Sequence, residues 1–265
     1  PTPSPTPEPL AAMVNGEPIT LVEFTAELER FQAARQALPG APLAPGVDLS
    51  TDAGVQAFVL DELVNQRLFA QAAYAAGFIL TPETLQARQD QISAELGGAQ
   101  ALQDYLAANQ YTPQAFQAAL ARSIAATWMR DQVLASTPTT AEQIHARQIL
   151  LYNQDQADQI LAQLRSGKDF TTLAYQYDPV TGGDLGWFPR GYLLEPAIEE
   201  SAFKLLPGAY TEVISTRLGY HILFVIAREP DHLLDPDPLL VVQQQALQTW
   251  LLDQKSIANI QLLLP

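Results

Sequence analysis

The 265-residue sequence contains no cysteine, few basic residues and no long apolar run. Without cysteine the chain can form no disulfide, no thiolate nucleophile and no cysteine metal site. Its 14 Lys and Arg residues are outnumbered by 29 Asp and Glu, giving a net charge of −15, and a negative field repels nucleic-acid phosphates. No apolar run reaches the roughly 18 residues of a membrane-spanning helix. The sequence therefore predicts no nucleic-acid partner and no transmembrane helix.

Enough apolar material is present to build packed cores. Hydrophobic residues make up 48% of the chain and charged residues 16%, which excludes wholesale disorder. At roughly 150 residues per domain, the length indicates about two domains. The three histidines, His145, His221 and His232, do not have the spacing of metal ligands, and we expect neither a metal nor another cofactor.

The N-terminal segment is rich in proline. Residues 1–9 alternate proline with Thr, Ser and Glu, and we predict an extended, polyproline-like linker over residues 1–12. One interpretation of the proline-first start is a removed signal segment or a lipidated cysteine before Pro1, and the other is an ordinary frayed terminus. With the absence of cysteine, the first interpretation predicts an extracytoplasmic protein, either secreted or held by a membrane tether before Pro1.

Helix signals dominate the segment that follows. Thr20 and Glu23 form a capping box, in which the hydroxyl and the carboxylate each accept a backbone N–H, before a helix to about Ala37. A loop with three prolines and two glycines follows at 38–50. Apolar spacing and Thr-Pro starts predict the next helices. They span about 51–76, 81–96, 99–109 and 112–135.

Strand and helix signals alternate over residues 141–229, which indicates a compact α+β domain. The segment Tyr220 to Ala227 is almost continuously apolar, so we expect it to be a central strand. Other predicted strands lie at about 144–152 and 210–214, and predicted helices at 154–165, after Asp169 and at 195–205.

A second break, marked by Glu229-Pro230 and further prolines, precedes a helix at about 238–255 and a strand at 257–264. A lone helix and strand cannot bury their apolar faces by themselves. We therefore expect residues 13–140 and 230–265 to form one mostly helical, discontinuous domain into which the α+β domain 141–229 is inserted.

Six stretches within residues 141–229 share one pattern of order and spacing: Ala146–Leu150, Leu164–Phe170, Gly182–Phe188, Pro196–Leu205, Pro207-Gly208 and Thr216–Ile222. With them, residues 141–229 resemble the parvulin family of peptidyl-prolyl cis–trans isomerases. The flanking segments, where Val14-Asn15-Gly16 leads into helices, resemble the chaperone module of extracytoplasmic foldases of the SurA and PrsA type. The resemblance implies a folding factor for unfolded or nascent proline-containing polypeptides.

The family chemistry needs no nucleophile, metal or cofactor. Rotation about an X–Pro amide breaks no bond and is opposed by a resonance barrier of about 18–20 kcal/mol. A pocket that stabilises the twisted amide is sufficient. By resemblance, the catalytic candidates are His221, Gln148 and Asp178. The substrate-binding candidates implied in the same way are Leu185, Phe188, Leu193, Ile198, Phe203 and Thr216.

The sequence departs from the family at two places. Gln148 stands where the family has a histidine, and the loop at 178–181 is about five residues shorter, with Asp178 as its acid. His145 lies three residues before Gln148, so on a regular strand it points to the opposite face. We therefore expect weak or undetectable isomerase activity.

The sequence leaves three functional hypotheses open. The chain is an active foldase, a non-catalytic chaperone or assembly factor that uses a degenerate parvulin domain as a binding module, or a structural surface lipoprotein. The residues indicate no oligomeric state.

Overall fold

The computed structural model describes residues 8–38 and 49–264. Most of the predicted linker and most of the predicted 38–50 loop lie outside the described residues. The described chain forms two compact units. The first contains the residues up to Ala135 together with those from Leu247 onward, and the second is Ser136–Ala246.

A three-stranded antiparallel sheet belongs to the first unit. Its central strand, β1 (Leu10–Val14), pairs with β2 (Glu17–Thr20) on one side and with β7 (Ile260–Leu262) on the other. Asn15 and Gly16 make the β1–β2 turn with φ values of 51° and 85°, which suit asparagine and glycine.

The position of β1 corrects the predicted extent of the linker. Ala11 and Ala12, assigned to the linker over 1–12, are strand residues with 0% exposure. Their methyl groups pack in one cluster with Val59 and Leu63 of the following helical segment. Burial of these small side chains stabilises β1. The prolines of residues 1–9, just before it, hide this strand in the sequence.

The predicted helices of the first unit are confirmed. Thr81 and Thr112 cap two of them, since their hydroxyls accept the N–H groups of Thr84 at 3.2 Å and Ala115 at 3.1 Å. The helices are α1 (Leu21–Ala37), α2 (Asp52–Ala75), α3 (Pro82–Leu96), α4 (Ala99–Ala108) and α5 (Pro113–Ser136).

The capping box at α1 is confirmed only in part. The Thr20 hydroxyl accepts the Glu23 N–H at 3.1 Å. The Glu23 carboxylate instead accepts hydrogen bonds from Arg67 at 2.6 Å and Arg122 at 2.7 Å. Arg67 is 1% exposed, and a buried guanidinium requires a charged partner. The long-range ion pairs therefore take the carboxylate away from the local cap.

The second unit is built on a four-stranded antiparallel sheet of order β4-β3-β6-β5. The prediction of an interior strand at residues 220–227 is confirmed, because that segment lies in β6. The strands are β3 (Thr140–Leu151), β4 (Asp184–Pro189), β5 (Ile214–Thr216) and β6 (Gly219–Leu233). The helices are α6 (Gln154–Arg165), α7 (Phe170–Tyr177) and α8 (Pro196–Phe203).

Two strand predictions in this unit are corrected. The strand expected at 210–214 begins only at Ile214, and Tyr210 makes an isolated bridge to Phe224. The glycine-rich stretch before Phe188, which is not among the predicted strands, leads into the edge strand β4. An edge strand pairs on one side only, so it tolerates glycines that a central strand would disfavour.

The expected break at Glu229-Pro230 is also wrong, since β6 continues to Leu233. The pairing of β6 with β3 shifts register between the pairs Ala141–His232 and Gln143–Glu229, which places Pro230 at a bulge. Strand β5 pairs only with the first three residues of β6, so none of the described strands lies on the other side of Pro230. A missing N–H therefore breaks no ladder bond there.

The C-terminal helix α9 (Pro236–Ile257) begins soon after β6, and the division between the two units falls within it. In the first unit, Trp250 stacks on Phe69 with ring centroids 4.4 Å apart, and Leu247 and Leu251 pack in the same cluster. None of the helices within 8–38 and 49–264 is sufficiently long and apolar to span a membrane.

Candidate active site

The two faces of the β4-β3-β6-β5 sheet carry separate hydrophobic clusters. One packs against α6 and α7, and the other against α8. Side chains alternate between faces along a strand. Ile144 and Ala146 of β3 and Leu223 of β6 belong to the α8 cluster, so Gln148 and His221 follow them onto that face.

Three of the predicted residues meet there in one hydrogen-bonded group. The His221 Nδ1 atom lies 3.1 Å from Gln148 Oε1, and its Nε2 atom lies 2.9 Å from Thr216 Oγ1. Because the amide oxygen can only accept, Nδ1 carries the ring proton and Nε2 accepts the Thr216 hydroxyl proton. The Thr216 hydroxyl also accepts the Leu218 N–H at 3.0 Å. The imidazole is thus held in one tautomer.

Burial of His221 lowers its pKa, because the low-polarity surroundings disfavour the charged ring, while the negative charge of Glu195 opposes this effect. The side chain is 2% exposed. His221 is therefore a neutral imidazole at neutral pH, able to orient its neighbours by donating and accepting hydrogen bonds.

The Asp178 carboxylate stabilises its own loop. It accepts the N–H groups of Val180 at 3.1 Å, Thr181 at 3.1 Å and Gly183 at 3.2 Å, together with the Thr181 hydroxyl proton. The hydroxyl bond, followed by the backbone bonds, lowers the pKa of Asp178 to about 2. Asp178 is ionised at neutral pH, and within the described chain none of its hydrogen bonds reaches His221.

The short loop is joined directly to Gln148. The Gln148 N–H donates to the Gly183 carbonyl at 2.8 Å. Gly183 has a φ of +67°, and a Cβ at this position would lie 1.9 Å from the Gln148 carbonyl oxygen. The loop thus reaches the site through its backbone, where only glycine fits.

The predicted pocket residues divide into core and surface. Phe188, Ile198 and Phe203 are 0%, 5% and 4% exposed, whereas Leu185 and Leu193 are partly buried at the margin of the same cluster. In this conformation the apolar wall available to a ligand is therefore limited to the marginal residues.

Glu195 and Leu218 both act on the group and are not among the residues predicted from the sequence. Leu194 is 90% exposed and precedes Glu195, whose charge acts on His221. Leu218 is 52% exposed and lies in the turn that follows Thr216. The consecutive leucines Leu193 and Leu194 indicate an exposed apolar residue, since two neighbouring side chains cannot both face the same core.

The other two histidines lie elsewhere in the second unit. His145 pairs with Asp184 at 2.8 Å and His232 with Glu229 at 2.7 Å, and Trp187 contacts both rings with centroid distances of 5.5 and 4.1 Å. In the part of the chain that the structure describes, no three His, Asp or Glu side chains are arranged to hold a metal ion.

Two family models match the chain up to residue 227. Residues 133–227 match the family model described as PPIC-type PPIASE domain. Residues 3–130 match the model of the SurA-like N-terminal domain.

Individual relatives carry related names. Foldase protein PrsA of Caldanaerobacter subterraneus subsp. tengcongensis is 29% identical, over 81% of this chain and 72% of its own length. Chaperone SurA of Legionella pneumophila is 31% identical, over 45% of this chain and 30% of its own. Further curated PrsA relatives are matched over about one third of their length. A crystal structure of the peptidylprolyl isomerase PrsA from Bacillus cereus has a TM-score of 0.48 and 18% identity, over 95% of this chain and 88% of that chain.

Proposed function

Because the chain combines a PPIC-type PPIase domain with a SurA-like N-terminal domain, we propose that it is an extracytoplasmic protein-folding factor. It accelerates X–Pro isomerisation and binds unfolded polypeptides. The observation that carries the isomerase half is the His221 group beside an apolar wall. The comparisons favour this function over a purely non-catalytic assembly factor.

The proposed division of the chain is a discontinuous helical domain around an inserted isomerase domain, with the predicted limits of 141–229 moved outward to about 136–246, where the two compact units divide. The antiparallel pairing of β7 with β1 supports it, because the C-terminal strand completes a sheet begun at the N-terminal end. The absence of cysteine fits an oxidising compartment. A membrane tether before Pro1 is part of the proposal.

The geometry suggests how the isomerase half works. The planar amide owes its barrier to resonance, which separates charge and is favoured by water. Leu185 and Leu193 exclude water from a bound proline, which weakens that resonance. The Gln148 amide oxygen accepts the N–H of His221 Nδ1, so its NH2 group is left to donate a hydrogen bond to the peptide. His221 fixes the direction of that amide, and Thr216 fixes His221.

We expect the full chain to catalyse isomerisation of a proline peptide slowly. Gln148→His should raise the rate about tenfold, because a second imidazole is more rigid than an amide. His221→Ala should lower it by about 10²-fold, at the low end of the effect of removing one preorganised polar group. A protease-free NMR exchange assay measures all three rates.

The matched control is His145→Ala, which removes a histidine outside the group and should leave the rate unchanged. If the wild type does not exceed the uncatalysed rate and Gln148→His is no faster, the isomerase half of the proposal is refuted.

The client-binding half rests on a cavity of about 450 Å³ in the first unit. Its wall includes the apolar side chains Phe69, Leu247 and Leu251. Asn65, also in the wall, is 9% exposed and donates to Asp61 and Glu62 at 3.1 Å each. Its Oδ1 atom is buried and has no partner among the described residues. The apolar side chains of the wall would take up apolar residues of an unfolded polypeptide.

Filling this cavity should weaken client binding. Thr127 is an exposed residue of α5 in the cavity wall, and Thr127→Trp would occupy the space that a client side chain needs. We expect affinity for an unfolded reporter protein to fall about tenfold, a loss of about 1.4 kcal/mol. Fluorescence titration and light scattering of the aggregating reporter measure the effect.

Ala118→Trp provides the control, because Ala118 is exposed on the same helix and does not line the cavity. Equal protection by the two tryptophan variants would show that clients bind elsewhere.

A further inference from the structure

An ion pair connects the start of α8 with the β5–β6 turn. The Arg217 Nε–H donates to Glu195 Oε1 at 2.8 Å. Arg217 directly follows Thr216, whose hydroxyl contacts His221. The Arg217 side chain is 78% exposed and that of Glu195 only 15% exposed. The carboxylate is therefore the fixed partner, and the arginine is the mobile partner that it restrains.

The Glu195 carboxylate is available for this contact because it does not cap its own helix. Glu195 occupies the N-cap position of α8, yet its side chain makes no capping hydrogen bond. Glu199 instead accepts the N–H groups of Gly191 at 2.6 Å and Leu193 at 3.0 Å. These bonds fasten the loop that leads into α8, so Glu195 is held in place while its carboxylate faces Arg217.

Backbone packing restricts the β5–β6 turn at Gly219, two residues after Arg217. Gly219 has a φ of +139°, and a Cβ there would lie 2.5 Å from the Leu151 carbonyl oxygen. Gly219 pairs with Thr216 across the hairpin. One end of the turn is thus fixed by backbone packing, and the other end is fixed by the Glu195–Arg217 ion pair.

We propose that Glu195 is a positioning residue of the His221 group. Through Arg217 it holds the β5–β6 turn so that the Thr216 hydroxyl stays on Nε2 of the imidazole. Asp178, the acid expected from the sequence, is committed to its own loop, whereas Glu195 is the acid whose charge acts on His221. The catalytic consequence rests on the proposed isomerase function, but the positioning does not.

Nitrogen-15 NMR of the His221 ring in the full chain tests the positioning directly. In Glu195→Gln we expect a mixture of tautomers instead of one, and titration at a lower pH, because the turn is released and a negative charge is lost. The exchanged variant Glu195→Arg/Arg217→Glu restores the ion pair and should restore the single tautomer. Glu212→Gln is the control, since it breaks an exposed 2.6 Å ion pair with Arg165 in the same unit.

Kinetics provide the second measurement. We expect kcat to fall about two- to fivefold in Glu195→Gln, as for the loss of one surface ion pair. KM should be unchanged, because the apolar wall that would hold the proline is intact. The exchanged variant should recover kcat. A wild-type tautomer and titration curve in Glu195→Gln would overturn the proposal. Altered His221 signals without isomerisation in any variant would uphold the positioning role and refute the proposed isomerase function.

Discussion

Gly183→Ala is expected to destabilise the second unit by about 3 kcal/mol or more, in the upper range for a single substitution. The new methyl group would lie 1.9 Å from the Gln148 carbonyl oxygen, which is backbone and cannot rotate away. Either β3 or the 178–183 loop must move, and the 2.8 Å bond from the Gln148 N–H to the Gly183 carbonyl is then lost. Urea unfolding of the full chain, followed by tryptophan fluorescence, measures the loss.

Gly186→Ala is a closely matched control for this substitution. Gly186 has the same φ of +67°, but a Cβ there would meet nothing within 4 Å. It should cost only the backbone strain of a left-handed alanine, about 1–2 kcal/mol. Equal destabilisation by the two variants would show that the contact with Gln148 is unimportant. Gly183→Ala should also disturb the NMR signals of His221, since Gln148 is its partner.

Glu23→Gln is expected to destabilise the first unit by about 3–5 kcal/mol, the cost of removing one partner of a buried ion pair. The variant is nearly isosteric but leaves the Arg67 guanidinium buried and without its close counter-ion. Arg67 Nε and Nη1 have no hydrogen-bond partner among the described residues, and Glu17, the other acid of that part of the chain, is 3.7 Å from Nε. Circular dichroism during urea unfolding measures the effect.

Glu27→Gln is the control for Glu23→Gln. Glu27 lies on the same helix and forms an ion pair with Arg30, but those side chains are 39% and 20% exposed. Its loss should cost less than about 1 kcal/mol. The double variant Glu23→Gln/Arg67→Met should regain part of the loss, because the buried charge is removed as well. If Glu23→Gln is no less stable than Glu27→Gln, the buried pair does not stabilise this unit.

The helices could be predicted from the sequence because their signals are local. Helix α6 begins and ends at the predicted residues, Gln154 and Arg165, since the Asn153 cap lies directly before it and an amphipathic repeat runs through it. The second role of Glu23 could not be predicted in this way. Its partners lie 44 and 99 residues away, and no local pattern contains them.

The site could be predicted residue by residue but not as an arrangement. Resemblance identified His221, Gln148 and Thr216, while their hydrogen bonds depend on the register of β3, β5 and β6. No local pattern connects Glu195 with His221, because the link requires the start of α8 to approach the β5–β6 turn. Phe188 was expected in the pocket, but the same hydrophobicity places it in the core.

The pairing of β1 with β7 has a consequence for the order of folding during synthesis. All strands of the second unit have been made once Leu233 is added, whereas the sheet of the first unit waits for Ile260–Leu262. At roughly 5–20 residues per second, the 29 residues from Leu233 to Leu262 represent a delay of about 1.5–6 s. Meanwhile β1 has an unpaired edge, and the apolar residues of α2 lack the cover of α9. The later half of the chain can thus finish folding before the earlier half, which reverses the usual N-to-C order of domain folding.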